Sequence, residues 1–181
     1  MFVSGLHFLV TILRRIIFTA VEYLDDRYKG SLVKSIKKAL KLYENQHFNV
    51  TTVYMDMEFE CLKKKLSMIT INITSTREHL PHIEQQIRTI KERMREIYST
   101  LPFTRVPGRM VIELAKYVVL WVNAFPPKIG ISKTYSPRTI MTGTTLDYKK
   151  HCRLDFGAYA ETHNDKEKQT LLWNAWEGLY S

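Results

Sequence analysis

Two carboxylates, Asp56 and Glu84, occupy positions from which they could do chemistry. Asp56 follows an apolar, β-branched run that begins at Val50, as expected for a residue at the end of a β-strand. Glu84 opens a basic stretch with helical spacing. Carboxylate oxygens bind hard divalent cations, and a pair of such cations can activate an oxygen nucleophile for phosphoryl transfer. The two residues therefore suit a two-metal site, which in full needs a third carboxylate.

Each carboxylate also has a purely structural interpretation. An Asp that follows a strand often caps the next helix, and Glu58 and Glu60 extend the local acidity into what could be a solvated turn. Glu84 and Arg88 are four residues apart, a spacing that on a helix gives an ion pair worth a few tenths of a kcal/mol. The residues alone leave both interpretations open.

Two predicted helices carry rows of cations that could grip phosphates. In the helix that contains Glu84, one face has apolar residues at helical spacing, namely Ile83, Ile87, Ile90, Met94 and Ile97. A neighbouring row consists of Glu84, Arg88, Lys91 and Arg95. An earlier helix, with its apolar face between Leu32 and Tyr43, carries Lys34, Lys37, Lys38 and Lys41. Such rows suit DNA contacts, although they are equally typical of a solvated surface.

The composition favours a single basic domain with an anionic partner. The chain has 181 residues and a formal net charge of +9, which points to nucleic acid before a membrane surface. Two widely spaced cysteines, Cys61 and Cys152, indicate neither a disulfide framework nor a zinc site, so we expect an intracellular protein. Without a long apolar run or a Gly-rich phosphate loop, we predict no membrane partner and no small-molecule substrate.

The order of predicted elements gives an α/β fold. Three strands within residues 1–23 predict an antiparallel meander, and αβ units follow. Two long helices are predicted over 81–98 and 109–125, each next to a proline signal. We therefore predict a five-stranded mixed sheet flanked by helices, in which the fourth strand lies parallel to the first. Residues 128–163 are predicted to be loop-rich with short strands.

From Met1 to about His163 the chain resembles the integrase catalytic core of copia-type retrotransposons, in a branch associated with unicellular eukaryotes. The resembling stretches, in chain order, are residues 1–5 with 8–11, 55–60, 77–79 through Glu84 to 90–93, 120–126, and 136–138 through Gly143 to 156–159. The ordered run of these matches is far more specific than any one of them.

The resemblance implies an RNase H-like fold and an Asp-Asp-Glu triad that binds two Mg²⁺ or Mn²⁺ ions. By position, Asp56 is the second Asp and Glu84 is the Glu, and both are implied as catalytic residues and metal ligands. The first Asp would lie within a few residues before Met1, on the first strand. The implied partner is DNA, in the nucleus if the protein is functional, and a homo-oligomer is implied as well.

Three departures from the family pattern shape the expected function. The first Asp is outside this chain, the interval from Asp56 to Glu84 is shorter than integrases usually have, and the sequence leaves the pattern after His163. We therefore expect an N-terminally truncated core over 1–127, an extension over 128–163 and a divergent tail over 164–181. Its ancestral reactions would be DNA strand transfer and 3′-end processing, inactive or impaired here. The alternatives are a non-catalytic nucleic-acid-binding or dimerisation remnant and an unrelated basic protein.

Overall fold

The computed structural model describes residues 1–26, 28–66, 69–74 and 81–159. The chain divides into two compact units, Met1–Asp147 and Tyr148–Ser181. The described part of the second unit contains one short helix, α5 (Tyr148–His151). The predicted tail, 164–181, and the resembling stretch 77–79 both lie outside the described residues, and the predicted domain limits stay a prediction.

The first unit begins with the predicted antiparallel meander. Its strands are β1 (Phe2–Val3), β2 (Leu6–Leu13) and β3 (Phe18–Leu24), with β2 between the other two. Ser4 and Gly5 join β1 to β2 with φ angles of 48° and 82°. A two-residue turn with both φ angles positive matches the right-handed twist of the paired strands, and this explains the tightness of the hairpin.

Two further strands form a parallel pair. Helix α1 (Lys29–Asn45) leads to β4 (Thr52–Asp56), a 3-10 helix over Met57–Lys65 and β5 (Thr70–Thr74). Asp56 lies opposite Thr74 in the register of this ladder. A strand, a helical crossover and a second strand thus follow α1, and the second strand pairs parallel with β4.

The expectation of one five-stranded sheet is met only in part. Within the described ranges the strands form two ladders, one of three strands and one of two. The predicted parallel pairing of β4 with β1 is not formed there, because β1 has only two residues and both pair with Leu6 and His7. Such a short strand offers too few N–H and C=O groups to hold two neighbours.

Three further helices lie in the described part of the first unit. They are α2 (Pro81–Thr100), α3 (Gly108–Ala124) and α4 (Pro137–Thr142). Short helices, α4 and α5, therefore occupy positions in 128–163 where the sequence suggested short strands. Ser136 caps α4, since its hydroxyl accepts a hydrogen bond from the Thr139 N–H at 3.1 Å.

The helices cover both faces of the meander. Alternate residues of a strand point to opposite faces. On one face, Thr11 shares a 2.7 Å hydrogen bond with the buried Tyr43 of α1. On the other, Thr19 accepts a 3.0 Å hydrogen bond from the Gln86 side chain of α2. Helix α1 thus lies on one side of this sheet, and α2 and α3 lie on the other.

The main cluster beneath α1 ties the two ladders together. Its buried members come from α1, the 3-10 helix with the residue after it, and both strands of the parallel pair: Val33, Ile36, Leu40, Met55, Leu62, Leu66 and Ile71. Leu9 of β2 packs against the same cluster. The parallel pair is therefore held to the meander by side chains beneath α1, without backbone pairing between β2 and β4.

Candidate functional site

Asp56 lies at the exposed carboxyl end of β4. Its neighbour Met55 is buried beneath α1, so the alternation along the strand turns Asp56 and Tyr54 to the opposite face. Asp56 occupies the position that precedes the 3-10 helix, but its side chain accepts no capping hydrogen bond. The carboxylate is therefore not engaged as a helix cap.

A cation of the chain already lies on this face of β4. The guanidinium carbon of Arg14, in the turn between β2 and β3, is 5.1 Å from the centroid of the Tyr54 ring. That distance is within the range of a cation–π contact. The strand face that bears Asp56 thus has an arginine nearby, which lowers the attraction of this face for a metal cation.

Glu84 lies in the first turn of α2 and is exposed. The positive end of the helix dipole favours a carboxylate at this position. The Arg88 guanidinium donates to Glu92, one turn further along, at 2.9 Å. Glu84 and Glu92 are each four residues from Arg88, so the spacing in the sequence allows an ion pair with either of them.

Helix α2 is anchored through its predicted apolar face. Ile90 and Met94 are buried, at 0% and 3% exposure. Near the start of the helix, Gln86 donates to the Thr19 hydroxyl. These contacts fix the rotation of α2, and with it the direction of the basic row.

The three cations of that row have different environments. Arg88 is 80% exposed and makes the ion pair with Glu92. Lys91 is half-buried, and it lines a cavity of about 300 Å³ together with the exposed Arg95. The remaining walls come from β1 and the turn after it, from α2 and from α3, namely Phe2, Val3, Ser4, Met94, Tyr98, Val111 and Leu114. The row therefore combines one solvent-exposed cation, Arg88, with two cations, Lys91 and Arg95, that line a largely apolar cavity.

The four lysines of α1 form a second basic surface on the opposite side of the meander. Lys34, Lys37, Lys38 and Lys41 are all exposed. Lys38 pairs with Glu22 of β3. Because the meander separates α1 from α2, the two predicted DNA-binding rows do not form one continuous surface.

The described residues do not assemble a complete metal site. No group of three or more His, Cys, Asp or Glu side chains within the described ranges could hold a metal ion. Asp56 and Glu84 have the oxygen donors that Mg²⁺ prefers, but two carboxylates alone fall short of a two-metal set. The residues present therefore do not fit the pair of ions that the resemblance implies.

Asn123 is a buried polar residue within the resembling stretch 120–126, and helical periodicity did not predict its role. Its Oδ1 accepts from the Thr19 N–H at 2.9 Å, and its Nδ2 donates to the Thr19 C=O at 2.7 Å. Both residues are buried, and one amide thus satisfies two backbone groups on the outer edge of β3. The feature of the sequence that could have indicated this role is a polar residue near the end of the most apolar helix.

A second buried polar residue, Glu113, lies on the same helix. Its side chain is 8% exposed and contacts Lys116 at 3.0 Å and Arg109 at 3.4 Å. Two cations one turn away on either side offset the cost of burying the carboxylate.

No described helix combines the length and apolarity needed to cross a membrane.

Comparison with solved structures identifies the class of fold. The catalytic core domain of BIV integrase is similar to this chain with a TM-score of 0.53 and 14% sequence identity. The similarity covers 77% of this chain and 88% of that one. The chain therefore has an integrase-core fold, as the resemblance implied. No protein-family model matches the chain, and no curated protein matches it.

Proposed function

We propose that this protein is a copia-type retrotransposon integrase core that binds DNA and whose strand-transfer chemistry is impaired. The likeness of fold to the BIV integrase catalytic core carries the proposal. The ordered sequence matches from Met1 to about His163 support the copia-type assignment. DNA binding would place its action in the nucleus.

Asp56 and Glu84 are proposed as the second and third carboxylates of an incomplete triad. Asp56 is exposed at the end of β4, and Glu84 is exposed in the first turn of α2. Because the described residues include no group of three side chains that could hold a metal ion, divalent-ion affinity is expected to be weak. Impaired catalysis follows from the donor set, and no catalytic step is assigned to the chain.

The proposed DNA contact is the basic row of α2. Arg88 is 80% exposed, and its guanidinium can exchange the Glu92 carboxylate for a phosphate. Lys91 and Arg95 lie one and two turns further along the same helix. The lysines of α1 are on the other side of the meander, so we assign them to a separate and weaker contact.

Two double variants with equal loss of charge test this assignment. Arg88→Ala with Lys91→Ala removes two cations from α2, and Lys34→Ala with Lys37→Ala removes two from α1. Fluorescence anisotropy of a labelled duplex would give the slope of log K against log salt for each protein. Each lost phosphate contact lowers that slope by about 0.9, so the α2 variant should lose about 1.8 and the α1 variant much less. Equal slopes for both variants and the parent would contradict an α2 interface.

Impaired catalysis is tested with a strand-transfer assay in Mg²⁺ and in Mn²⁺. The expected result is no concerted product above background, with Glu84→Gln indistinguishable from the parent chain. Strand-transfer product that depends on Glu84 would show that the site is functional and would contradict the proposed impairment.

A homo-oligomer through α3 is proposed as a second role. Three aromatic residues follow one another along this helix and into its end: Tyr117 and Trp121 have ring centroids 6.0 Å apart, and Trp121 and Phe125 are 6.3 Å apart. Phe125 is 54% exposed, which leaves large apolar area on this face. Light scattering should show a dimer that Phe125→Asp weakens, while Tyr135→Asp, at a similarly exposed aromatic residue, leaves it unchanged. A monomer at all concentrations would exclude this role.

A further inference from the structure

The cavity beside the basic row of α2 has the size and the lining of a site for a small ligand. Its volume of about 300 Å³ is at the lower end of the range for such sites. The apolar lining includes three buried side chains, Met94 of α2 and both Val111 and Leu114 of α3. Two aromatic residues of the wall are exposed, Phe2 at 55% and Tyr98 at 43%. The cavity therefore presents apolar surface and accessible aromatic rings to a ligand.

The walls of this cavity are held in place by pairing and packing. Phe2 pairs with His7 in the β1–β2 hairpin, and the centroids of their rings are 4.9 Å apart. Gly108, at the start of α3, lies against the same hairpin, since a Cβ added there would be 3.8 Å from Leu6 Cδ1. Met1, whose main chain bonds to β2 further along, is not one of the wall residues. The cavity is therefore formed by the packing of α2 and α3 against the hairpin.

Two cations that line the cavity have no counter-charge among the described side chains. Lys91 and Arg95 are four residues apart on α2, so they are neighbours on the surface of the helix. Neither forms an ion pair with a described residue, whereas Arg88 of the same row pairs with Glu92. Lys91 is also half-buried beside apolar walls, where an ammonium group without an anion nearby is costly. The arrangement favours a ligand that brings negative charge.

Aromatic rings next to cations are the features that proteins use to bind unpaired nucleotides. A base has a flat face that stacks on an aromatic ring, and the phosphates beside it are anionic. Among the described residues that line the cavity none is acidic, so phosphates would not be repelled there. A base within a duplex must leave its stack and its pairing partner before it can enter a pocket, whereas an unpaired base is free to enter. The cavity therefore suits an unpaired base better than paired DNA.

We propose that this cavity binds one unpaired nucleotide. The base would stack on the exposed rings of Phe2 and Tyr98, and its flanking phosphates would contact Lys91 and Arg95. Where the nucleotide belongs to a DNA strand, the inference rests on the proposed DNA contact of α2 and adds a preference for DNA with an unpaired end. A free nucleoside monophosphate offers the same chemistry.

The position of the cavity along α2 indicates what a bound base would do. Glu84 is in the first turn of this helix and Tyr98 is in its last. A helix rises about 1.5 Å per residue, so the two residues are separated by about 21 Å along the axis. A base in the cavity would therefore be far from Glu84, and its role would be to hold the DNA along α2.

Fluorescence anisotropy with the full chain compares a labelled blunt duplex with duplexes that carry a short 5′ or 3′ thymine overhang. The chain should bind one of the overhangs at least about fivefold more tightly than blunt DNA, because base stacking is added. Phe2→Leu with Tyr98→Leu removes both rings but keeps apolar bulk, so it should abolish the preference and leave blunt binding unchanged. Phe103→Leu with Tyr135→Leu, at similarly exposed residues outside the cavity, should keep the preference. Equal binding of all three DNAs by the parent chain, or a preference that survives loss of both cavity rings, would overturn the proposal.

The fluorescent base 2-aminopurine reports stacking directly and needs no variant of the chain. Placed in the overhang, it should be quenched when the chain binds, and it should not be quenched by the variant that lacks both cavity rings. Free 2-aminopurine nucleoside monophosphate distinguishes the two sources of the ligand. Quenching of the free nucleotide at similar concentrations would assign the cavity to free nucleotides, and quenching only within DNA would assign it to strand ends. Absence of quenching in both forms would overturn the proposal.

Failure of this inference and failure of the proposed DNA function give different results. Blunt DNA that binds through α2, with no gain from an overhang, would contradict the cavity site and leave the DNA contact standing. Quenching of the free nucleotide by a chain that binds no DNA would do the reverse. Displacement of the nucleotide by the peptide Glu-Phe-Glu at lower concentrations than by deoxyadenosine monophosphate would assign the cavity to a protein partner and overturn the nucleotide as its ligand.

Discussion

At the scale of single residues, Asn123 has the largest predicted effect on stability. Asn123→Ala would remove both hydrogen bonds to Thr19 and leave a buried N–H and C=O unsatisfied. Each such group costs about 1–3 kcal/mol, so the free energy of unfolding should fall by about 2–6 kcal/mol in urea denaturation. Asn45→Ala, at an exposed residue, is the control and should change it little. A loss below about 1 kcal/mol at Asn123 would contradict this account.

Tyr43 predicts a loss of stability in alkali. Burial raises the pKa of its phenol above the ordinary 10.0, and the hydrogen bond with Thr11 partly opposes that shift. The unfolded chain therefore releases this proton first as the pH rises, and its contribution to stability, complete below pH 10, is lost as the pH passes through the folded pKa. Unfolding free energies measured between pH 8 and pH 11 should fall less steeply for Tyr43→Phe than for the parent.

The matched control is Tyr28→Phe, since Tyr28 is 77% exposed. It should keep the alkaline slope of the parent. Tyr43→Phe should also cost about 1 kcal/mol at neutral pH through the hydrogen bond with Thr11. An unchanged alkaline slope in Tyr43→Phe would show that another group causes the loss.

At the scale of elements, substitution of two glycines by alanine should change the stability of the chain in opposite directions. A Cβ added at Gly5 or at Gly30 would meet no atom within 4 Å. Gly5 has a φ of 82° in the β1–β2 turn, so Gly5→Ala should destabilise the chain by about 1 kcal/mol. Gly30 is in the first turn of α1, where alanine should raise stability by up to about 1 kcal/mol. Thermal melts of both variants would compare them, and shifts of the same sign would contradict the argument.

The elements that were predictable from sequence depend on local signals. The Ser4-Gly5 turn between alternating strands gives the hairpin, and Pro81 gives the start of α2. The pairing of β4 with β1 was not predictable in the same way, because it depends on how many residues of the first strand are available to two neighbours. The helices α4 and α5 are too short for periodicity to distinguish them from strands.

The candidate site was predictable only in part for similar reasons. Helical spacing places Arg88, Lys91 and Arg95 in one row, but it cannot tell that Lys91 and Arg95 line a hollow against the β1–β2 turn. It also cannot choose between Glu84 and Glu92 as partners of Arg88, since both are four residues away. Those outcomes depend on which elements pack against α2.

At the scale of the whole molecule, we expect divalent ions to have little effect on the stability of the folded chain. A bound ion stabilises the folded state according to its affinity, and about 100-fold excess over Kd would add about 2.7 kcal/mol. Since the described residues include no group of three metal-binding side chains, millimolar Mg²⁺ should leave the melting temperature almost unchanged. A rise of several degrees that Glu84→Gln removes would instead indicate a functional metal site.

The contact between Asn123 and Thr19 also bears on the course of folding. The two residues are 104 positions apart, whereas the β2–β3 hairpin closes through a short turn and can form early. Until α3 arrives, the outer edge of that hairpin has unpaired backbone that can join another chain. Refolding yield should therefore fall as protein concentration rises, and it should fall more steeply for Asn123→Ala. Separate addition of a peptide with the α3 sequence during refolding should restore part of the yield.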